Sequence, residues 1–310
     1  MVHVVTFLYV PPIASAIPKI IEVRPGASLR EVAIQLAQEG LITDKRMFIL
    51  IGRLTGLERK IHPGEYAFRT NMIPHEIMDD LRKGKILQIE ITIPDDSTLI
   101  QVARLFEEKN ILPTQRFLQL ARDPDFVTSL GIEAKSLEGF VYPDTYVFPR
   151  KTPPEEVIRK IVQEFHSRFT EDMAIRAKAL HMTVLQVVTL ASIIGKETSN
   201  DEERGIVSAV FHNRLEKGIP LQSDPTVIYA VPYFGGTLTK KNLAFRSSYN
   251  TYVHRGLPPG PIGSPNVKSI RAALYPADVP YLYFVSKNDG THYFSATLHE
   301  HNRAVWKYQR

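Results

Sequence analysis

Glu197 is the acidic residue whose setting is most suited to proton transfer. It follows Leu190, Ile193 and Ile194 by seven, four and three positions, so all four fall on one helical face. A carboxyl group that extends an apolar stripe has its proton affinity raised, which is what a general acid needs near neutral pH. A plainer reading fits the same pattern: Glu197 ends its helix in solvent, or pairs with Lys196 or Arg204. Glu202 and Glu203 follow Asn200 at a helix start, where the helix dipole accounts for acidic side chains without chemistry. His292, His299 and His301 form no HExxH pattern and read as ordinary polar histidines, so no metal site is assigned. GxSxG, Walker A and GxGxxG patterns are absent, which leaves serine hydrolase, P-loop and dinucleotide readings without support. With no cysteine in the chain, thiol nucleophiles, disulfide frameworks, cysteine-based zinc sites and iron–sulfur clusters are excluded. No cofactor is implied.

Three segments after Glu197 are dense in amide, hydroxyl and tyrosine groups held by prolines: residues 221–229 (LQSDPTVIY), 248–252 (SYNTY) and 256–262 (GLPPGPI). Sugars require directed hydrogen bonds and flat aromatic faces, and such surfaces supply both. A structured loop region that satisfies its own backbone has the same composition, and Asp224-Pro225-Thr226 alone reads as a helix start.

These residues need helices and turns to hold them. Long helices begin at Pro154, after Thr170, at Thr183 and at Asn200. Thr183 and Gln186 form a capping box, and residues 184–194 are apolar nearly all round, so that helix should be buried. Glu203 would complete a second capping box with Asn200. Residues 281–285 (YLYFV) and a turn at Asn288-Asp289-Gly290 suggest a hairpin.

The N-terminal half repeats itself at an offset of 70 residues. Val23 to Leu29 lies over Ile93 to Leu99, and apolar positions 29, 32, 33 and 36 recur at 99, 102, 103 and 106. Each copy reads strand, turn, helix, turn, helix, with Ser28 or Ser97 as the helix cap. The four prolines between 143 and 154 mark a connection, and a domain boundary is placed there. The expected organisation is a leading segment 1–18, a first module 19–87, a second repeat and connection 88–150, and a C-terminal domain 151–310. The fold class is α+β: small βα modules, then a mainly helical, loop-rich domain with a small β element.

The chain of 310 residues is 44% hydrophobic and 23% charged, with a net charge of +5, as expected of a folded protein that tolerates polyanionic surroundings. Its basic residues are spread rather than clustered, so nucleic acid is not an expected partner. Residues 4–10 (VVTFLYV) fall far short of the roughly 20 residues that span a bilayer. They fit either an apolar edge strand or the tail of an anchor that begins upstream.

Several ordered strings resemble the endolytic murein transglycosylases of the MltG (YceG-like) family. They are LEGFVYPDTY at 137–146, ASIIGKET at 191–198, VFHNRL at 210–215, LQSDPTVIY at 221–229, YNTY at 249–252, GLPPGPI at 256–262 and PYLYFV at 280–285. The resemblance implies that the repeat corresponds to LysM-like modules and the remainder to a catalytic domain. It implies that Glu197 is the catalytic glutamate, the second acidic residue of a Glu-Lys-Glu-Thr motif, and that one acid/base suffices without cofactor or metal. Gln222, Asp224, Thr226, Tyr229, Asn250 and Tyr252 are then expected to position the sugar, with Glu138 and Asn213 supporting them. The substrate would be the glycan strands of peptidoglycan, with cell-wall synthases as further partners. The chain would be the extracytoplasmic part of a single-pass inner-membrane protein whose anchor lies outside this sequence. At the first motif position this chain has Gly195, and loss of that carboxylate argues for a second reading, a non-catalytic peptidoglycan-binding scaffold.

Overall fold

The computed structural model describes residues 2–232 and 234–309. It divides into two compact units, one of residues 1–90 with 147–152 and one of residues 91–146 with 153–310. The architecture is α+β, dominated by helices, with three two-stranded sheets among the described residues.

In the first unit the order is α1 (Val2–Tyr9), β1 (Pro18–Val23), α2 (Leu29–Gln38), α3 (Lys45–Leu54), β2 (Gly64–Arg69), α4 (Pro74–Lys83) and the start of β3 (Gln88–Thr92). Residues 4–10, open to a strand reading from sequence, lie largely in helix α1, which carries Phe7 into the core of this unit. Strands β1 and β2 are antiparallel, with Ile21 opposite Tyr66, and Ile21 and Val23 alternate inward. Ser28 caps α2 in a box with Glu31, and Leu29, Val32, Ala33 and Leu36 are buried.

The second unit repeats this start with α5 (Leu99–Glu108) and α6 (Thr114–Ala121), and Leu99, Val102, Ala103 and Phe106 are buried at the repeated positions. The cap differs from expectation. Thr98 caps α5 with Gln101, whereas Ser97 turns back to donate to the Pro94 carbonyl at 2.8 Å. One position separates the two, and only Thr98 directly precedes the first helical residue, where a side-chain oxygen meets the free N–H groups. After α7 (Pro124–Ser129), the proline-rich stretch read as a bare connection holds strand β4 (Thr145–Pro149), which pairs with β3. Prolines at strand ends leave the ladder between them intact.

The helices α8 (Pro154–Arg168), α9 (Glu171–Ala179), α10 (Val184–Glu197) and α11 (Asp201–Glu216) follow. Short α12 (Asp224–Ala230) and α13 (Lys240–Leu243), then α14 (Val267–Leu274), the hairpin β5 (Tyr283–Ser286) and β6 (His292–Ser295), and α15 (Leu298–Tyr308) complete the chain. α10 is the axis of the unit. Its residues 187–195 are all buried, and it packs against α9, α11, α12 and α14. Thr183 and Gln186 form the expected capping box. Glu203 does not form one with Asn200; its carboxylate instead accepts from the His292 backbone N–H at 2.9 Å and faces His292 Nδ1 at 2.7 Å. No single helix among the described residues is long and apolar enough to cross a membrane.

Candidate active site

α10 delivers Glu197 at its last turn, after three buried apolar residues on the same face. Glu197 pairs with neither Lys196 nor Arg204. Ser223 Oγ donates to Glu197 Oε1 at 2.5 Å, and Ser223 is only 2% exposed. Burial pushes the Glu197 carboxyl up to about 7, with the charge of Asp224 adding to the rise and the Ser223 hydrogen bond and Arg214 opposing it. Arg204 is engaged elsewhere, with Asp201 at 3.0 Å and Ser269 at 2.7 Å.

The turn that presents Ser223 is built by its neighbours. Gln222 adopts a left-handed backbone with φ of 51°, and its N–H donates to the Thr251 carbonyl at 3.1 Å. The Ser223 N–H donates to Thr251 Oγ1 at 3.0 Å, and the Thr251 and Thr226 hydroxyls meet at 2.8 Å. Thr226 Oγ1 closes the loop by donating to the Ser223 carbonyl at 2.6 Å. Every polar group in this buried knot has a partner, which fixes the serine that fixes the acid.

Glu197 opens into a cavity of about 340 Å³ lined also by Arg214, Gln222, Asp224, Tyr252, His292 and His301. Tyr252 Oη donates to Asp224 Oδ1 at 2.5 Å, and burial, with that bond adding to it, holds the phenol well above its ordinary value. Arg214 donates to the carbonyls of Leu282, Pro220 and Leu221 at 2.7, 3.2 and 2.8 Å, and its guanidinium lies over the Tyr283 ring at 5.1 Å. The side chain therefore ties the β5–β6 hairpin to the turn carrying Gln222. With Nδ1 of His292 held by Glu203, Nε2 is the ring nitrogen left over. His301 stacks on Tyr283 with centroids 5.2 Å apart.

Of the residues singled out from sequence, Glu197, Gln222, Asp224 and Tyr252 meet at this cavity. Thr226 and Asn250 are fully buried. Asn250 Nδ2 donates to the Leu243 and Phe245 carbonyls at 3.0 and 2.8 Å, so it shapes the loop bearing Tyr252. Asn213 Nδ2 likewise holds the Val279 and Tyr281 carbonyls, both at 2.9 Å. Glu138 and Tyr229 meet each other, with Tyr229 Oη donating to Glu138 Oε2 at 3.0 Å, and they line a different cavity. Ser223, Arg214, His292 and His301 were not singled out for this site. Ser223 lies inside the string 221–229, and Arg214 inside 210–215, so their neighbourhood was visible although their roles were not.

Gly195 has a steric cause. A Cβ built there would stand 2.1 Å from Asp96 Oδ1. The Asp96 backbone is itself left-handed, with φ of 58°, and its N–H donates to the Ser264 carbonyl at 2.8 Å. A carboxylate from the β3–α5 loop thus occupies the space a side chain on residue 195 would take. Burial raises Asp96 to about 6.

A half-buried carboxyl with raised proton affinity thus faces a polar cavity walled by tyrosine, amide and carboxylate groups, an arrangement able to transfer a proton to a polar ligand. Residues 21–307 match the model of the YceG-like family, and the chain belongs to that family. It is 30% identical over 304 residues to an endolytic murein transglycosylase of Bacillus subtilis, covering 93% of this chain and 84% of that one. An endolytic murein transglycosylase of Streptococcus pneumoniae is 26% identical over 312 residues, covering 90% of this chain and 56% of the longer pneumococcal protein. The crystal structure of a yceG-like protein from Listeria monocytogenes superposes with a TM-score of 0.64 at 31% identity, covering 92% of this chain and 98% of that one. The chain is thus related over nearly its whole length to enzymes named for a lyase activity.

Proposed function

We propose that the protein is an endolytic murein transglycosylase in which Glu197 is the only proton-transfer group. The observation that carries this reading is the Glu197 carboxyl, raised to about 7 and fixed by Ser223 at the wall of a polar cavity. With Oε1 accepting from Ser223, Oε2 is the oxygen that bears the proton. It gives that proton to the glycosidic oxygen between N-acetylmuramic acid and N-acetylglucosamine, and the bond from C1 to that oxygen breaks. The muramic 6-hydroxyl oxygen then bonds to C1 while its proton passes to the Glu197 carboxylate. A 1,6-anhydro end forms, the acid is regenerated, and no water is consumed. One group serves both steps because it is protonated in the first and ionised in the second, which a pKa near the working pH permits. This removes the need for the second carboxylate of most glycoside hydrolysis.

Gln222, Asp224 and Tyr252 hold the sugar beside Glu197, and Thr226, Asn250 and Asn213 hold the loops that carry them. The repeats in the first half are LysM-like and engage glycan. The protein is anchored in the inner membrane by a single span, with this chain on the outer side, where it works beside cell-wall synthases.

The test is digestion of purified peptidoglycan with the parent protein and with Glu197→Gln, followed by mass spectrometry. Anhydro ends from the parent and none from the variant are expected. Reducing ends would mean hydrolysis with a second carboxylate, and binding without products would identify a scaffold.

A further inference from the structure

A second, larger cavity of about 600 Å³ is lined by residues of α10 and α12 next in sequence to those of the first. Lys196 and Pro225 line it, while their neighbours Glu197 and Asp224 line the catalytic cavity. The two cavities therefore meet at the end of α10 and the start of α12, where neighbouring residues about 3.8 Å apart along the chain face one or the other.

Its wall is unlike that of the first. Ile100 and Ile228 are 43% and 42% exposed and give it apolar faces, and Tyr229 lies against Glu138 at its back. Two cations, Lys196 and Arg122, border it, and among the described residues neither takes part in an ion pair. Burial lowers Lys196 from its ordinary value even with Asp96 and Glu138 nearby. Glu138 does not neutralise these cations by contact. Its Oε1 accepts from the Leu99 N–H at 2.9 Å, its Oε2 accepts from Tyr229, and burial raises it to about 7. Unpaired cations over exposed isoleucines suit a ligand that is anionic and partly apolar. A bare N-acetylated sugar is neither.

We propose that this cavity binds the acidic peptide carried on the lactyl group of muramic acid, with Lys196 and Arg122 taking its carboxylates and Ile100 and Ile228 its aliphatic side chains. The proposal rests on the transglycosylase reading above and deepens it: the enzyme recognises peptide-bearing strands. Lys196 is then a binding residue delivered by the same helix end as the acid, so peptide capture sets the depth at which the glycosidic bond meets Glu197.

The experiment compares peptide-bearing glycan strands with strands stripped of peptide by an amidase. Parent, Arg122→Glu and Ile228→Ser proteins are assayed for anhydro ends, and the same two substitutions are placed in Glu197→Gln for binding by fluorescence anisotropy. Arg122 is exposed, so its charge reversal leaves the fold intact. Each substitution is expected to lower kcat/KM on peptide-bearing strands roughly tenfold while leaving stripped strands unchanged, and to weaken binding of peptide-bearing strands to the same degree. Equal losses on both substrates would mean that the cavity holds sugar, and no loss on either would mean that it holds nothing; each overturns the proposal. Absence of anhydro ends from the parent on both substrates would overturn the catalytic reading alone, since the binding measurement still reports on the cavity.

Discussion

Ser223 sets the state of Glu197 through one hydrogen bond, and the sign of its effect is fixed by which form of the acid it favours. A hydroxyl donated to a carboxylate stabilises the ionised form. Its removal in Ser223→Ala raises the Glu197 pKa beyond about 7, where burial has already carried it. A general acid must be protonated in the free enzyme, so kcat/KM of the parent is expected to fall as pH rises through about 7, tenfold per unit. In Ser223→Ala that descending limb should move to higher pH while the plateau drops about tenfold from loss of orientation. A plateau loss with no movement of the limb would show that Ser223 is only a packing residue. The spacing behind Leu190, Ile193 and Ile194 made the place of Glu197 on the apolar stripe legible, while leaving open a solvent-facing end or a pairing with Lys196 or Arg204. Ser223 was not, because its inward direction depends on the left-handed backbone of Gln222, and nothing in the string LQSDP prescribes that.

Gly195 poses a second question at this scale, and two magnitudes compete. Replacing a helical glycine by alanine should stabilise by about 1 kcal/mol through backbone entropy and propensity. Against this, the new Cβ meets Asp96 Oδ1 at 2.1 Å, and overpacking of that kind costs about 1–3 kcal/mol. Turning the carboxylate does not relieve the clash, because Asp96 Cγ and Oδ2 stand 2.7 and 2.9 Å from the same point, and the Asp96 backbone is held by its N–H bond to Ser264. Gly195→Ala should therefore lower stability in urea, and Asp96→Gly should reverse the sign of that effect in the double variant. Additive losses would show that the two residues do not oppose each other.

Among the elements, α10 was the most legible and the β5–β6 hairpin was visible only as a propensity. A run of apolar residues behind a capping box specifies a buried helix from local information. The hairpin's attachment is long-range: Arg214, on α11, donates to the Leu282 carbonyl and to two carbonyls before Gln222. Sequence spacing carries no trace of such a bond across 68 residues. Arg214→Met keeps the length of the side chain and leaves three carbonyls without their donor, which is expected to cost about 2–4 kcal/mol in urea denaturation. Arg214→Lys should recover only part of this, because one ammonium cannot reproduce the geometry of a planar fork. Full recovery by lysine would mean that charge alone matters there. The same reasoning explains Ser97 and Thr98: both are good caps by type, and the register of α5 alone decided between them.

Across the whole molecule, the repeat and the α+β class were legible because periodic burial recurs at a fixed offset, whereas β4 was hidden by its flanking prolines. The titratable groups also act at this scale, and their directions oppose one another. Glu138 and Glu197 are raised from 4.5 to about 7 and Asp96 from 3.8 to about 6, chiefly by burial. A carboxyl raised on folding holds its proton longer in the native state, so its contribution is fully present below its unfolded value and is lost as pH rises through the folded one. Glu31, Asp79, Asp201, Asp289 and Glu300 are lowered, mainly by hydrogen bonds to their charged form, and their contribution disappears as pH falls. These five lie at the surface, where salt screens their interactions. The three carboxyls raised by burial should dominate. Thermal stability is expected to peak in mildly acidic solution and to decline from pH 5 to pH 8. For Glu138, which is 8% exposed, the rise from 4.5 to about 7 corresponds to at most about 3 kcal/mol. Glu138→Gln keeps an acceptor for Leu99 and removes the charge that must be buried, so it should flatten the decline and raise Tm at pH 8 relative to the parent. An unchanged slope between pH 5 and 8 would show that Glu138 ionises in the folded protein at its ordinary value, and that water reaches it through the cavity it shares with Lys196.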